Sequence, residues 1–240
     1  MNEKKVLAIV PAYNEEHNIE DVVTGLKSCG VPLDVVVIND GSSDKTTEVA
    51  QNAGAVVVTL PCNLGIGGAV QTGLIYARDK DYDVAIQVDG DGQHKPEEIH
   101  IILDPVLKGE TDVAIGSRFL GKKGFKSSAT RRLGISIFRA AIYIATRQLI
   151  TDNTSGFRAF NKQAIAYLAD KYPCDYPEVE VIVALKKNRF RMKEYPVEML
   201  ERHSGRSSIT PIKSAYYMVK VLLAVLVSFL RSSDRPMGKL

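Results

Sequence analysis

The sequence predicts an α/β fold, a mostly parallel sheet with helices on both faces. Three observations carry that expectation. Short, unbroken apolar runs alternate with amphipathic stretches through the first half of the chain. The runs lack polar alternation, as strands buried on both faces do. Polar clusters follow the runs, and in open parallel sheets ligands lie beyond the carboxyl ends of the strands.

The elements follow in order. Val6–Val10, ended by Pro11, reads as a buried first strand. Asn18–Cys29 places Ile19, Val22, Val23 and Leu26 at helical spacing. Asp34–Ile38 is a second strand and Thr46–Ala53 a short helix closed by Gly54. Ala55–Leu60, Val84–Val88 and Asp112–Ile115 continue the strands, with helices at Gly68–Lys80 and, opened by Pro96, at Glu97–Leu107. Beyond residue 117 the pattern changes. Phe119–Thr130 reads as a loop and Arg131–Leu149 as a helix carrying arginines. Residues 151–161 read as a polar turn and short strand, Pro177–Lys187 as a helix, Arg191–Met199 as a strand, and His203–Ser208 as a polar loop.

Bulk properties exclude several classes. The 240 residues, 45% hydrophobic and 25% charged, suit one ordinary globular domain with at most an appendage. A net charge of +3 is too mild to argue for nucleic acid. Cys29, Cys62 and Cys174 are odd in number and without metal-ligand spacing, so a reduced, cytoplasmic setting is expected. The N-terminal apolar run is too short for a signal peptide.

Ile212–Arg231 is the most apolar stretch, but Lys220 interrupts it and a spanning helix needs about 20 apolar residues. Lys213, Lys220 and Arg231 fall on one helical face, and Leu222, Leu223, Leu226, Phe229 and Leu230 cover the rest. The expected organisation is a catalytic domain over residues 1–210 and an amphipathic helix and tail over 211–240. That helix would lie on a membrane or dock on a small integral membrane partner. Packing on its own domain is the plainer alternative.

Asp89-Gly90-Asp91 ends the fourth strand. Two neighbouring carboxylates there repel each other and lose solvation, and a divalent cation offsets both effects. Mg²⁺ or Mn²⁺ prefers such oxygen ligands and stabilises a departing diphosphate. Asp-x-Asp alone more often marks a turn. The longer run Asp89-Gly90-Asp91-Gly92-Gln93-His94-x-Pro96 is far more specific.

Further motifs stand in order: Pro11-Ala12-Tyr13-Asn14-Glu15-Glu16, Asn39-Asp40-Gly41-Ser42-Ser43-Asp44, Asn63-x-Gly65-x-Gly67-Gly68-Ala69, Gly116-Ser117-Arg118, Ser155-Gly156-Phe157-Arg158 and Arg202-His203-Ser204-Gly205-x-Ser207. Over about residues 6–210 the set resembles glycosyltransferase family 2, in its dolichyl-phosphate mannose synthase-like branch. The resemblance implies a GT-A fold and an inverting transfer. It implies that Pro11, Tyr13, Glu15, Asp40, Asp89 and Gly90 hold the donor nucleotide, and that Arg202 and Ser204 contact its diphosphate. It implies that Asp89, Asp91 and Gln93 hold the metal, and that Arg118 and Arg131 hold the phosphate of a polyprenyl (undecaprenyl or dolichyl) phosphate. Arg158, in a matched motif, joins the candidates for that phosphate. On the residues themselves, Asp40 after the second strand can accept hydrogen bonds from a base or ribose, with Glu15 in the same crevice. For Glu15 and Glu16 the plainer role is charge at a helix N-terminus.

Chemistry separates two acceptors. A hydroxyl needs a general base, whereas a phosphate monoester, with a second pKa of about 6, is already ionised at neutral pH. Asp152 is the base candidate, and with a phosphate acceptor it would orient more than deprotonate. The catalytic candidates are therefore Asp91, Asp152 and Arg118. The expected activity is transfer of a sugar from a nucleotide-sugar to polyprenyl phosphate by an enzyme peripheral on the cytoplasmic membrane face. Transfer to a hydroxyl of a lipid-linked oligosaccharide is the runner-up, and an inactive sugar-nucleotide-binding scaffold the alternative from another class. A sugar nucleotidyltransferase would need a basic, Gly-rich loop after the first strand, where this chain has Glu15 and Glu16. The Gly65–Gly68 run echoes a dinucleotide fingerprint, but Val70 stands where its third glycine belongs. Close helix–sheet packing beside the donor is the better reading of those glycines.

Overall fold

The computed structural model of the chain describes residues 4–121, 143, 147–173 and 177–200. Among these residues seven strands form one sheet in the order β3-β2-β1-β4-β6-β5-β7. They are β1 (Val6–Ala12), β2 (Asp34–Asn39), β3 (Val56–Thr59), β4 (Val84–Gln87), β5 (Val113–Ser117), β6 (Arg158–Asn161) and β7 (Met192–Pro196). Among the described residues the α-helices with defined bounds are α1 (Ile19–Lys27), α2 (Thr46–Asn52), α3 (Gly65–Asp79), α4 (Ile99–Leu107), α5 (Lys162–Lys171) and α6 (Pro177–Lys187).

Alternation along the strands splits the core into two layers. Leu7 and Ile9 of β1, with Val36 and Ile38 of β2, pack under α3, α5 and α6 through Val70, Leu74, Ile165, Leu168 and Ile182. Val6, Ala8 and Val10 of β1, with Val35 and Val37 of β2, pack on the opposite side against α1 and α4 through Val22, Leu26, Ile102 and Leu103. Both faces are covered, which is why the strands read as continuous apolar runs rather than alternating ones.

Several features go beyond the sequence reading or differ from it. β6 runs antiparallel to both β4 and β5, with Gln87 opposite Arg158 and Ile115 opposite Arg158. The chain leaves β5 at the carboxyl edge and re-enters β6 from that same edge, so the segment before β6 lies beside the ends of β4 and β5. Helix α5 was not foreseen. Asn161 caps it by accepting the Ala164 N–H at 2.9 Å, and Ala164, Ile165, Leu168 and Ala169 form its buried stripe. It packs against α3.

Of the predicted helix 131–149, only Tyr143 and the last three residues are described. Arg147 has φ 54 and donates to the Tyr143 carbonyl at 2.8 Å, so helical backbone has ended before Leu149. The loop at 203–208 and the amphipathic helix at 212–231 lie outside the described residues. Among the described residues, no helix is long and apolar enough to cross a membrane.

Helix α3 starts at Gly65, three residues before the predicted start. Its close approach to the sheet is made by Gly73, outside the glycine run. A Cβ there would meet the Ile9 Cγ2 inside contact distance and the Ile9 Cβ at 3.2 Å, and Ile9 is fully buried. Gly73→Ala gains up to about 1 kcal/mol of helix propensity. Against this, overpacking a rigid β-branched partner costs about 1–3 kcal/mol. The expected net result is a lower urea midpoint at unchanged slope. An equal or higher midpoint would contradict this packing account.

Candidate active site

Three strand ends, those of β1, β2 and β4, deliver polar loops to one edge of the sheet. The β1–α1 and β2–α2 loops are tied together. Asn14, in the left-handed region at φ 55, donates its N–H to Ser42 Oγ and accepts the Ser43 N–H, both at 2.9 Å. Glu15 N–H donates to Thr46 Oγ1 at 2.9 Å, and Glu16 N–H to Asp44 at 3.1 Å. Burial opposes ionisation of Asp44, but hydrogen bonds from Thr46 and from the Glu16 N–H outweigh it and lower its pKa. Its contribution to stability is therefore present above the ordinary carboxylate pKa and lost as pH falls through the lowered one. Gly41, at φ 70, lies so close to the Cys62 and Asn63 backbone that a Cβ would sit 2.8 Å from the Cys62 carbonyl carbon.

These loops and the start of α3 enclose a cleft of about 310 Å³. Pro11, Tyr13, Glu15, Asp40, Asp89 and Gly90, all expected on the donor side, line it together with Asp91 and Ile66. Tyr13 is half exposed, so a flat apolar ring faces the opening. Asp40 is buried. Its two oxygens accept the Leu64 and Gly65 N–H groups at 2.7 and 2.8 Å, so it caps α3, whose own N-cap residue has no side-chain bond. A carboxylate has about four acceptor positions. The cap therefore coexists with the expected role toward a base or ribose. Glu15 accepts the Asn18 side-chain N–H at 2.6 Å.

Asp89 and Asp91 both line this cleft. His94 Nε2 lies 3.2 Å from an Asp89 oxygen, and its ring stacks on Phe157 at 4.7 Å between centroids. Burial opposes ionisation of Asp89, but hydrogen bonds from His94 and Gln87 and the positive charge of Arg118 outweigh it and lower its pKa. Gly156 lies against the carboxylate, where a Cβ would come within 2.5 Å of both oxygens. Asp91 accepts the Gln93 N–H at 3.1 Å.

Two carboxylates lining one cleft fit a hard divalent cation that keeps waters and phosphate oxygens in its shell. Among the described residues, no cluster of three or more His, Cys, Asp or Glu side chains could close an all-protein cage. Gln93, expected as a further ligand, donates its side-chain amide to the Leu200 carbonyl at 3.3 Å.

Arg118 follows β5 outside the residues lining the cleft. Its Nε and Nη2 donate to the two oxygens of Asp152 at 2.7 and 2.6 Å, its backbone N–H adds a 3.1 Å bond, and Nη2 also donates to Thr154 Oγ1 at 2.9 Å. The side chains are 10% and 0% exposed, so the pair is effectively out of water. Burial lowers the Arg118 pKa, but Asp152 first and Asp89 second outweigh that effect and raise it. Asp152, the base candidate, has both oxygens engaged by this one guanidinium. Arg158 is also buried, with Nε donating to the Ser155 carbonyl at 2.8 Å and Nη2 to that of Asn153 at 3.4 Å. It braces the turn before β6. Two buried groups here, His94 Nδ1 and the Asn153 amide, have no hydrogen-bond partner among the described residues. Arg131, Arg202 and Ser204 lie outside the described residues.

Sequence reasoning singled out neither His94 as the partner of Asp89 nor Glu194 of β7, which holds the Thr151–Asp152 turn. His94 carried a signal, being part of the run after Asp91. Glu194 carried none beyond its place in an alternating strand.

Residues 7–168 match glycosyl transferase family 2. An uncharacterized protein of Methanocaldococcus jannaschii is 32% identical over 93% of this chain and 93% of its own length. The UDP-N-acetylglucosamine–dolichyl-phosphate N-acetylglucosaminyltransferase of Methanococcus voltae is 29% identical over 83% of this chain and 87% of its own. The polyprenol monophosphomannose synthase of Mycolicibacterium smegmatis is 28% identical over 91% and 86%. The glucosyl-3-phosphoglycerate synthase of Mycobacterium tuberculosis, solved with Mn²⁺, UDP and phosphoglyceric acid, superposes with a TM-score of 0.73 at 20% identity, over 96% of this chain and 80% of that one. The fold is thus of the GT-A kind.

Proposed function

The chain belongs to glycosyl transferase family 2, and from that premise we propose that it transfers a sugar from a nucleotide-sugar to the phosphate of a polyprenyl lipid. The nucleotide lies in the cleft of Tyr13, Glu15 and Asp40, with its diphosphate toward Asp89 and Asp91. Those two carboxylates would hold Mg²⁺ or Mn²⁺, which supplies charge stabilisation for the departing nucleoside diphosphate. The acceptor phosphate binds from the Arg118 side. One of its oxygens forms the new bond to the anomeric carbon from the face opposite the leaving diphosphate, whose bond breaks, so configuration inverts. The relatives named for dolichyl and polyprenol phosphates support this acceptor class. A polyprenyl acceptor requires work at a membrane surface, and we assign that attachment to the amphipathic segment 212–231, alone or on a small membrane partner. The expected location is peripheral, on the cytoplasmic face.

The observation that favours phosphate over a hydroxyl is the state of Asp152. Both oxygens are committed to Arg118, so the one base candidate on the acceptor side is a guanidinium clamp. A hydroxyl acceptor needs a base. A phosphate monoester, with its second pKa at about 6, needs none at neutral pH.

The pH profile of acceptor kcat/KM tests this reading. With undecaprenyl phosphate, the rate is expected to fall below about pH 6 as the acceptor takes up its second proton. Asp152→Asn should lower the whole profile and leave that acid limb in place. A limb that disappears in Asp152→Asn would make Asp152 a general base and contradict this reading of the acceptor side.

A further inference from the structure

We infer that Glu194, on the outermost strand, is a positioning residue for acceptor binding that acts through Asp152 on Arg118; the inference rests on the acceptor reading above. Glu194 Oε2 accepts the Thr151 N–H at 2.7 Å. Its Oε1 accepts the Thr151 hydroxyl at 2.9 Å and the Asp152 N–H at 2.7 Å. One carboxylate thus fixes both residues of the turn carrying Asp152. The next link is the bidentate Asp152–Arg118 pair, closed by the Arg118 N–H on the same carboxylate. Ser117 Oγ, from the residue before Arg118, meets Thr151 Oγ1 at 2.8 Å, so the hydroxyl bonded by Glu194 is also tied to the end of β5.

The position of Glu194 argues that this use is specific. β7 is an edge strand paired in parallel with β5, with Ile115 opposite Glu194. Met192, two residues earlier and hence on the same face, is buried in the core layer under α3 and α6. Glu194 is partly buried on that face, and Thr151 and Asp152 occupy both of its oxygens. The Nε and Nη2 edge of Arg118 is held by Asp152, so the turn carrying Asp152 sets where the guanidinium and its charge lie. A carboxylate that sets the turn therefore sets the guanidinium that the acceptor phosphate meets.

Glu194→Gln is the test, because it keeps size and shape but replaces one acceptor oxygen with a donor that faces N–H or O–H groups. Initial rates are measured with undecaprenyl phosphate and the working nucleotide-sugar, each varied in turn, alongside metal-dependent donor hydrolysis. Misorientation of Arg118 is expected to raise the acceptor KM about tenfold, with donor KM and hydrolysis within about twofold of wild type. A merely structural role would reduce the active fraction, lowering kcat and hydrolysis together without moving either KM. Thr151→Ser, which keeps the hydroxyl, is expected to behave as wild type, and Thr151→Val to shift the acceptor KM in the same direction as Glu194→Gln. In an Asp152→Asn background Glu194→Gln should add little, since both act through one link.

An unchanged acceptor KM in Glu194→Gln, equal rises in both KM values, or effects of Glu194→Gln and Asp152→Asn that simply multiply would each overturn the inference while leaving the functional reading intact. A wild-type protein that uses other acceptors but no polyprenyl phosphate would overturn that reading, and this inference with it.

Discussion

Asp91→Ala is expected to lower sugar transfer by about a thousandfold or more while leaving the fold intact. Asp91 is only partly buried and lines the cleft, so truncation opens no core cavity. The loss is chemical. A bound divalent cation is worth several kcal/mol of charge stabilisation on a leaving phosphate, and each 1.36 kcal/mol is tenfold in rate. Nucleotide binding provides the check. In Mn²⁺ the variant should bind the nucleoside diphosphate far more weakly than wild type, and in excess chelator the two should bind alike. A difference that persists in chelator would mean that Asp91 acts on the nucleotide directly.

The second large effect is on stability. Asp152→Ala removes one partner of a pair that water barely reaches, leaving the Arg118 guanidinium buried without its bidentate carboxylate. Breaking such a pair from one side costs about 3–5 kcal/mol, whereas replacing both partners by apolar groups is often close to neutral. Asp152→Ala is therefore expected to lower the urea-unfolding free energy by that amount. Asp152→Ala combined with Arg118→Met should recover at least half of it, and the double variant should remain inactive. Additive losses in the double variant would show that the two side chains stabilise the fold independently.

The parts of the molecule legible in the sequence are those fixed by local pattern. Strands β1, β2 and β4 are continuous apolar runs because two helical layers cover them, and α1 shows its stripe at Ile19, Val22, Val23 and Leu26. The edge carrying the site was legible because each polar cluster directly follows a strand. What escaped was non-local. The direction of β6 depends on the edge at which the chain re-enters the sheet, which no period encodes. Helix α5 spans only ten residues, and its fully buried stripe is only Ala164, Ile165, Leu168 and Ala169. Asp40 was read as a nucleotide contact, but its cap on α3 joins residues 24 and 25 positions apart. Asp152 and Arg118 were both singled out, yet their bond across 34 positions was invisible, and it turns a candidate base into a clamp. Gly156 and Glu194 act by close approach and by orientation, and neither leaves a mark in spacing.

The most direct test of the account is transfer itself. The purified protein is given Mn²⁺ or Mg²⁺, undecaprenyl or dolichyl phosphate, and a panel of radiolabelled UDP-, GDP- and dTDP-sugars, and label entering the organic phase is counted. The account predicts organic-phase label from one nucleotide-sugar that depends on the metal and is lost in Asp91→Ala. Metal-dependent donor hydrolysis with no label in the lipid phosphate, alongside transfer to a hydroxyl-bearing lipid-linked glycan, would contradict it.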